Sequence, residues 1–396
     1  MIIKEISAEK ILDSKKQETI SVFVKTDAGS FSTASPSGTS KGKHEQESYV
    51  ESINNDISTL KNIKLDFNFG SFSDLKKVEE IVRGKIGANS LYALEASLLK
   101  AAAYEQNLPL WKFLNPKARK FPRPIANIIG GGMHTALVQG KKADFQEFLI
   151  IPKTGKSSDD IFLINKAHEI AGKILKLRNA HGGLNYEGAW ATSLENEGCL
   201  SVLNQVREEL SRELDNEIDI GIDVAASTFY KTFYNYKNPA TYLKQREQIK
   251  YISELADKFM LSYIEDPLNE EDFSGFRTLR ENIIRKRPCL IVGDDLTTSS
   301  LERFKEAVKN KSIGGIILKP NQIGSLVEIN KIVGLCKKLG IAMIMSHRSG
   351  EVLDYTIADL AFAWQTDFLK CSVVGKEREI KWKRLIEIEK SLDSGE

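Results

Sequence analysis

The chain is poor in cysteine and has no long apolar segment. Its 396 residues include four cysteines, Cys199, Cys289, Cys336 and Cys371, and none of them forms a CxxC pair. Cysteines scattered in this way are typical of reduced thiols rather than of a disulfide framework. No apolar run approaches the roughly 20 residues of a membrane-spanning helix, and the charged N-terminus has no signal-peptide core. The sequence therefore predicts a cytoplasmic protein without a membrane partner.

The charge of the chain is nearly balanced, and its composition is ordinary. It contains 56 basic and 54 acidic residues, for a formal net charge of +2. Such a balance argues against nucleic acid or an anionic membrane surface as the partner. Hydrophobic residues make up 41% and charged residues 28%, as in globular proteins generally, and the length is sufficient for two domains.

Two parts of the chain differ in their patterns. Residues 1 to about 70 indicate strands and turns, residues 74–84 indicate a helix, and Ala88–Gln106 predicts a strong helix. After a junction at Lys120–Pro124, apolar runs alternate with amphipathic helices, which we predict at Asp159–Leu177, Tyr242–Phe259, Leu301–Lys309 and Val327–Leu339. This alternation is typical of an α/β barrel. We predict an N-terminal α+β capping domain at residues 1–121 and a modified (β/α)8 TIM-like barrel at residues 122–396.

Five apolar runs in the second part end on polar, chemically able residues. The runs are Ile218–Asp223, Leu261–Glu265, Cys289–Asp294, Gly314–Lys319 and Ile341–His347. Their lengths indicate buried parallel strands, and their end residues are 25 to 42 positions apart, which is about one strand and one helix. Because the C-terminal ends of barrel strands meet at one rim, these end residues should converge there.

Three of the end residues are carboxylates, Asp223, Glu265 and Asp294. Three carboxylates so close together cannot all stay ionised without a cation, because each raises the energy of the others' charged form. The layout therefore predicts an oxygen-ligated divalent metal site with Lys319 beside it.

Eleven segments carry a family resemblance. They are ILDS (Ile11–Ser14), PSGTSKGKHE (Pro36–Glu45), IGAN (Ile86–Asn89), NIIGGGMH (Asn127–His134), QEF (Gln146–Phe148), YEGAWA (Tyr186–Ala191), DVAAS (Asp223–Ser227), IEDP (Ile264–Pro267), GDDLTT (Gly293–Thr298), LKPNQIG (Leu318–Gly324) and SHRSGE (Ser346–Glu351). The last two and GDDL, in this order and spacing, are highly specific. By these segments the chain resembles the enolases nearly from end to end.

The resemblance implies an activity and a cofactor. The activity is the reversible dehydration of 2-phosphoglycerate to phosphoenolpyruvate, in glycolysis and gluconeogenesis. The cofactor is Mg²⁺, with two ions per active site, the second arriving with the substrate. The resemblance also implies a homodimer or dimer-based oligomer, a phosphorylated small-molecule substrate, and no nucleic-acid partner.

Metal-binding roles follow from the resemblance. Asp223, Glu265 and Asp294 match the ligands of the tighter Mg²⁺, and hard carboxylate oxygens suit this ion. In GDDL the resemblance selects Asp294, and we expect Asp295 to point the other way in a strand. Ser40, in a small-residue loop that closes over the substrate in the family, matches a ligand of the second Mg²⁺.

Proton-transfer roles follow in the same way. Lys319 matches the general base, which must be neutral to accept a proton, so we expect nearby Mg²⁺ and another lysine to lower its pKa. Glu187 matches the general acid, for which we expect a raised pKa, and Glu147 matches the acid that assists it. His134 and His347 match active-site histidines of the family.

The remaining matches concern the substrate. Lys370 matches the lysine that pairs with the substrate carboxylate. Arg348 and Ser349 match the residues that hold the phosphate, for which a guanidinium fork is well suited. Gln146 is expected to form hydrogen bonds within the cluster around Glu147. We assign His44, His168 and His181 to ordinary surface or core positions.

Several positions depart from the family pattern. Tyr186 stands where the family has an aspartate before Glu187, and Lys41 adds a charge to the loop of Ser40. Leu137 and Val138 replace polar residues after His134, and Lys15–Glu18 replaces an Arg-Gly-Asn-Pro-like turn. These changes affect loops and leave the metal and proton-transfer residues in place.

Two alternatives remain open beside the enolase reaction. The first is a related enzyme with an altered substrate, against which the phosphate-holding segment SHRSGE argues. The second is a non-catalytic, enolase-like protein with a structural or binding role. Retention of the base, the acids and the ligands argues against it, because a buried set of mutually repelling carboxylates is costly to keep for binding alone.

Overall fold

The computed structural model describes residues 1–38, 42–214 and 218–394, so the predicted metal ligand Ser40 lies outside the described residues. The N-terminal part has an antiparallel sheet of three strands in sequence order, followed by helices that pack on it. Its elements are β1 (Glu5–Leu12), β2 (Glu18–Thr26), β3 (Gly29–Ala34), α1 (Ile53–Asn62), α2 (Leu75–Val82), α3 (Ala88–Glu105) and α4 (Leu110–Leu114).

The second part is a closed barrel surrounded by helices. Its strands are β4 (Arg123–Gly130), β5 (Glu147–Pro152), β6 (His181–Leu184), β7 (Trp190–Thr192), β8 (Ile218–Asp223), β9 (Tyr234–Lys237), β10 (Ala240–Leu243), β11 (Tyr263–Glu265), β12 (Leu290–Gly293), β13 (Gly315–Leu318), β14 (Ala342–Ser346) and β15 (Phe368–Lys370). Its helices are α5 (Ser157–Leu177), α6 (Asn196–Leu214), α7 (Gln245–Phe259), α8 (Phe273–Ile284), α9 (Leu301–Lys309), α10 (Pro320–Ile323), α11 (Leu326–Leu339), α12 (Thr356–Trp364) and α13 (Lys376–Asp393).

The barrel closes in the order β4-β5-β8-β11-β12-β13-β14-β15, and β15 pairs back with β4. Strand β5 runs antiparallel to both of its neighbours, whereas the other barrel pairs are parallel. Strands β6 and β7 form an antiparallel pair that extends from β4 outside the closed ring. The predicted α/β barrel is therefore confirmed, with one reversed strand that the pattern of parallel strand ends does not indicate.

The barrel interior is filled below the rim by a small apolar cluster. It consists of Ile125, Leu149, Ile151, Tyr263, Val292, Ile317 and Ile344. Side chains of a strand alternate between its two faces, so residues two positions nearer the rim also point inward. On four of these strands those residues are Glu147, Glu265, Asp294 and Lys319. The alternation that builds the apolar interior thus places the polar residues in the layer above it.

The predicted helices agree with the structure to within a few residues at each end. The caps predicted for α11 are also present, since the Ser325 hydroxyl accepts a hydrogen bond from the Glu328 amide at 2.9 Å, and Gly340 has a φ of 67°. The expectation of strands and turns up to residue 70 is wrong for α1. This helix begins after Ser52, whose hydroxyl accepts a hydrogen bond from the Asn55 amide at 3.2 Å.

Backbone contacts attach the N-terminal part to the barrel rim. Ser37 and Gly350 exchange two backbone hydrogen bonds, of 2.8 and 2.9 Å, and the amide of Ser14 donates to the carbonyl of Glu351 at 2.8 Å. The predicted domain boundary at residues 121 and 122 falls just before β4, and we propose it as the boundary. Within the described ranges, every helix is too short or too polar to cross a bilayer.

Candidate active site

A small polar cavity opens at the rim where the parallel strands end. Its walls are formed by Gly38, His134, Gln146, Glu147, Glu187, Asp223, Asp294, Lys319, Ser346, His347, Arg348, Ser349 and Lys370. Register explains this gathering, because Glu147 is paired with Asp223, Asp223 with Glu265, and Ser346 with Lys370. The reversed direction of β5 puts its first residue, Glu147, at the same rim as the last residues of its neighbours. The described site residues predicted from the sequence therefore meet in one place.

The ammonium group of Lys370 lies at the centre of three buried carboxylates. Its Nζ is 2.8 and 2.9 Å from the two oxygens of Glu265, 3.0 Å from Asp223 and 3.1 Å from Glu147. Burial lowers the pKa of Lys370, but the three carboxylates outweigh it, so the pKa lies well above its ordinary value. We predicted Lys370 as a partner of the substrate carboxylate; in this structure its charge is shared among protein carboxylates.

Lys319 contacts a single carboxylate, that of Asp294. Burial lowers the pKa of Lys319, but the attraction of Asp294 outweighs it, so the pKa lies above its ordinary value. The lowered pKa expected from nearby Mg²⁺ stays a prediction, and the protein residues alone favour the ammonium form through Asp294. Burial likewise raises the pKa of Asp294, and Lys319 and Lys370 together bring it below the ordinary value.

The three predicted metal ligands are all buried, but their oxygens are not all close together. Among the described residues, two groups bring three ligand atoms within 4.8 Å of one another, and neither is the predicted trio; they are His134, Glu147 and Glu187, and Asp266, Asp294 and Asp295. Asp223 and Glu265 instead share the ammonium of Lys370, while Asp294 contacts Lys319. The two lysines thus separate the trio into a pair and a single carboxylate.

The second of these groups corrects the prediction for Asp295. Strand β12 ends at Gly293, so Asp294 and Asp295 do not alternate as strand neighbours, and their carboxylates approach one another near Asp266. The carboxylate of Asp266 holds the turn after β12 in place. Its two oxygens accept hydrogen bonds from the backbone amides of Asp294 at 3.0 Å and Asp295 at 2.6 Å. Both Asp266 oxygens are therefore already engaged in holding the turn after β12.

The fit of a divalent cation is tested by charge and burial. The side chains of Asp223, Glu265 and Asp294 are 4%, 0% and 10% exposed. Burial, and then the repulsion of Asp223, raise the pKa of Glu265 well above its ordinary value in spite of Lys370. A buried set of hard oxygens with too little compensating charge fits a hard divalent cation. The charge and burial of these residues therefore fit such an ion, whereas their oxygens, held apart by Lys319 and Lys370, would have to come closer together to share it.

On the other wall of the cavity, Glu187 has its own cationic partner. The Nδ1 atom of His134 is 3.3 Å from Glu187, and the Asn127 side-chain amide donates to this carboxylate at 3.2 Å. Burial raises the pKa of Glu187, but His134 and other cations outweigh it, so the pKa lies well below its ordinary value. The expected raised pKa of Glu187 is therefore wrong for this structure, because the nearby imidazole favours the carboxylate.

The raised pKa belongs to Glu147 instead. Burial is its largest cause, the charge of Glu187 adds to it, and Lys370 reduces it, which together raise the pKa of Glu147 to about 8. Such a pKa favours the protonated form of Glu147 near neutral pH, and its carboxyl group lies within 4.8 Å of that of Glu187. Gln146 donates to Asp223 at 3.4 Å, which agrees with its predicted place in the cluster. Tyr186, which replaces the family's aspartate before the buried Glu187, is 58% exposed.

Several buried polar atoms of this site lack a hydrogen-bond partner in the described part of the chain. They are Nε2 of His134, Oε1 of Gln146 and Nδ1 of His347. Buried polar atoms in folded proteins are nearly always hydrogen-bonded, and each exception calls for a reason. Because these atoms surround one cavity, the simplest reason is that a polar ligand satisfies them.

The third side of the cavity is formed by the segment after β14. The guanidinium of Arg348 donates to both oxygens of Glu45, at 3.1 and 2.9 Å, and to Asn321 at 3.2 Å. Ser349 is buried, and its hydroxyl accepts a hydrogen bond from Lys15 at 3.4 Å. Burial lowers the pKa of His347 well below its ordinary value, which keeps this imidazole neutral.

Besides Gly38 and Ser346 of the cavity wall and Asn321 beside Arg348, five residues around the site lie outside the predicted set. Asn127, Glu45 and Asp266 belong to segments that carry the family resemblance, so their segments were the available signal. Lys15 lies in the turn that departs from the family pattern. The fifth, Arg378, is buried on α13 and donates to the carbonyl of Ser349 at 3.1 Å. Nothing in the pattern of α13 distinguishes it from other lysines and arginines of that helix.

An α/β barrel whose rim holds a lysine, a buried carboxyl with a raised pKa and further buried carboxylates defines the class as an acid–base enzyme. The sequence model of the family described as "Enolase, C-terminal TIM barrel domain" matches residues 118–396. Curated relatives match nearly the whole chain. The enolase of Methanocorpusculum labreanum is 35% identical over 98% of both chains. That of Natronomonas pharaonis is 34% identical, with 98% of this chain and 99% of the relative covered.

A third relative gives the same result. The enolase of Archaeoglobus fulgidus is 33% identical over 99% of this chain and 98% of its own length. The chain belongs to the enolase family, and it is a carbon–oxygen hydro-lyase of the phosphopyruvate hydratase type. The family implies a divalent metal and a phosphorylated small-molecule substrate.

Proposed function

We propose that this enzyme catalyses the Mg²⁺-dependent, reversible dehydration of 2-phosphoglycerate to phosphoenolpyruvate, a step of glycolysis and gluconeogenesis. One observation carries the proposal: Lys319 and the pair Glu147 and Glu187 line the same small cavity. Dehydration next to a carboxylate needs a base for the C2 proton and an acid for the departing hydroxyl. The cavity contains a candidate base and candidate acids, together with buried polar atoms that a bound substrate could satisfy.

Asp223, Glu265 and Asp294 are the residues that would hold the tighter Mg²⁺. Asp266 is less suited, because both of its oxygens accept backbone amides. When bound, the ion would supply positive charge for the carboxylate dianion that forms when the C2 proton leaves, and would neutralise Asp294. We keep Ser40 as the proposed ligand of a second Mg²⁺ that arrives with the substrate.

Lys319 would accept the proton from C2. Its ammonium form is held by Asp294 in the structure, so any positive charge that satisfies Asp294 weakens the interaction that raises the Lys319 pKa. Lys370, less than 3.2 Å from three carboxylates, would turn to the substrate carboxylate as the charges rearrange. Both lysines would then serve the substrate rather than the protein carboxylates.

Glu147 and Glu187 would together protonate the departing hydroxyl. We predicted Glu187 as the acid and Glu147 as its assistant, and the raised pKa indicates that Glu147 holds the proton before substrate binds. Since the two carboxyl groups are within 4.8 Å, the proton can pass between them. The neutral His347 and the imidazole of His134 complete this wall and would orient the part of the substrate that carries the departing hydroxyl.

Arg348 and Ser349 would hold the phosphate, and Gln146 would hold the carboxylate cluster in place. We further propose that the enzyme acts in the cytoplasm as a homodimer or a dimer-based oligomer, as its family membership supports.

A spectrophotometric assay of phosphoenolpyruvate formation tests the proposed function. The purified full chain should convert 2-phosphoglycerate with Mg²⁺ and should lose this activity when EDTA removes the ion. Glycerate without phosphate serves as the matched control and should not react. Absence of turnover across a range of Mg²⁺ concentrations and pH values would refute the proposal.

A further inference from the structure

The turn between β1 and β2 brings a lysine to the rim of the barrel. Asp13 fixes this turn, because one of its oxygens accepts the amides of Lys15 at 2.8 Å and Gln17 at 2.9 Å. Its other oxygen accepts the hydroxyl of Ser37, in the segment bonded to Gly350. The carboxylate of Asp13 is thus used to anchor the turn, and Lys15 extends from it toward the active site.

Lys15 lies directly against the residues proposed to hold the phosphate. Its Nζ donates to the Ser349 hydroxyl at 3.4 Å. A Cβ atom at position 350 would be 2.7 Å from Cε of Lys15 and 2.1 Å from an oxygen of Asp13. Only glycine at this position leaves room for both groups. The anchored turn on one side and Gly350 on the other therefore allow Lys15 to approach the 349–350 segment closely.

Positive charges converge at this place. Burial is the largest cause that lowers the pKa of Lys15, and Arg348 and Arg378 lower it further, against the opposing effect of Asp13 and Glu187. Arg378 is buried and binds the Ser349 carbonyl at 3.1 Å. These cationic side chains repel one another and lose hydration on burial; Glu45 already pairs with Arg348, and a bound anion would offset the remaining cost.

We propose that Lys15 is a further phosphate-binding residue, which meets the phosphate dianion of the substrate together with Arg348 and Ser349. This inference rests on the proposed function and extends it to a residue of the N-terminal turn. An ammonium on a flexible stem complements the fixed guanidinium fork, because it can adjust its position to the phosphate oxygens. The turn that departs from the family pattern thereby contributes to substrate affinity.

The test compares three variants of the full-length enzyme. Lys15→Gln removes the charge, Lys15→Arg keeps it, and Lys16→Gln changes the exposed neighbour in the same turn. We expect Lys15→Gln to raise KM for 2-phosphoglycerate about 10-fold or more, with kcat within about threefold of wild type. Lys15→Arg should restore KM to within about threefold, and Lys16→Gln should leave both constants unchanged.

A second measurement separates this inference from the proposed function. Binding of inorganic phosphate, followed by calorimetry, should weaken about 10-fold in Lys15→Gln and remain unchanged in Lys16→Gln. If wild type binds phosphate through Lys15 but does not convert 2-phosphoglycerate, the proposed function fails and the anion site stands. Unchanged KM and phosphate affinity in Lys15→Gln, or a loss of kcat alone, would overturn the assignment of Lys15.

Discussion

The two walls of the cavity split the pKa values of their carboxyl groups in the same way but with different cations. On the lysine wall, formed by Asp223, Glu265, Asp294, Lys319 and Lys370, the pKa of Asp294 is lowered and that of Glu265 is raised. On the histidine wall, formed by His134, Glu147, Glu187 and His347, the pKa of Glu187 is lowered and that of Glu147 is raised to about 8. Each wall therefore holds one carboxyl charged and favours the proton on another.

The difference between the members of each pair is whether a cation is shared. Asp294 contacts Lys319 and Glu187 contacts His134, and within the described part of the chain neither Lys319 nor His134 forms a second ion pair. Glu265 and Glu147 must share the single charge of Lys370 with Asp223. One ammonium divided among three buried carboxylates does not offset their loss of hydration. The geometry of the cations, rather than burial alone, decides which carboxyl can donate a proton.

Removal of Lys319 should have the largest effect, because it takes away both the base and the partner of Asp294. We expect Lys319→Ala to lower kcat by about 10²- to 10⁴-fold and to abolish exchange of the substrate C2 proton with deuterated solvent. NMR of the recovered substrate measures this exchange. The exposed Lys309→Ala is the matched control and should behave as wild type. Normal exchange in Lys319→Ala would exclude Lys319 as the base.

The choice of metal ligand on the lysine wall can be tested next. Asp294→Asn should weaken Mg²⁺ binding at least about 100-fold, which exceeds the usual effect of an outer-shell group. Asp295→Asn should weaken it by less than about 10-fold, because the neighbouring carboxylate is not a proposed ligand. Calorimetric titration of the metal-free protein measures both affinities. The reverse order would transfer the role to Asp295.

Removal of His134 should give Glu187 a raised pKa, like that of Glu265 on the lysine wall. His134→Ala removes the cationic partner of Glu187, so burial should raise the pKa of Glu187 above its ordinary value. Carboxyl ¹³C NMR of the metal-free protein follows this pKa, and His44→Ala, which changes a histidine paired with Glu271 on the surface, is the control. A Glu187 that stays ionised at low pH without His134 would show that the imidazole does not set its charge.

A smaller effect is expected from the neutral neighbour of Glu187. Asn127→Ala removes one hydrogen bond of 3.2 Å, which is worth about 1 kcal/mol. The variant should therefore lower kcat about fivefold, without loss of metal affinity. Steady-state kinetics at saturating Mg²⁺ tests this. A loss as large as that of Lys319→Ala would mean that Asn127 does more than support Glu187.

Much of the barrel and its rim follows from the sequence. The apolar runs predict the barrel strands. Because a barrel brings the C-terminal ends of its strands together, the runs also predict that their end residues meet at the rim; these are Asp223, Glu265, Asp294 and Lys319. The reversed β5 is not predictable from this rule, since Glu147 begins its strand instead of ending it. Its place at the rim followed only from the family resemblance.

Other features depend on which distant residues meet. The pairing of Lys319 with Asp294, and of Arg348 with Glu45, joins segments far apart in the chain, so the resulting charges cannot be deduced from either segment alone. The same is true of the contact between Lys15 and Ser349. The direction of the pKa shift expected for Glu187 was wrong for this reason. Residue identity determines which chemistry a group can perform, whereas the nearest counter-charge determines whether it holds a proton.

The most direct test is to titrate Glu147 and Glu187 in one metal-free sample by carboxyl ¹³C NMR, with Glu147→Gln and Glu187→Gln to assign the signals. Our account predicts that Glu147 titrates at about 8 and that Glu187 titrates well below its ordinary value. Two ordinary titrations, or a Glu187 that holds its proton to higher pH than Glu147, would contradict the claim that an unshared cation determines which carboxyl donates.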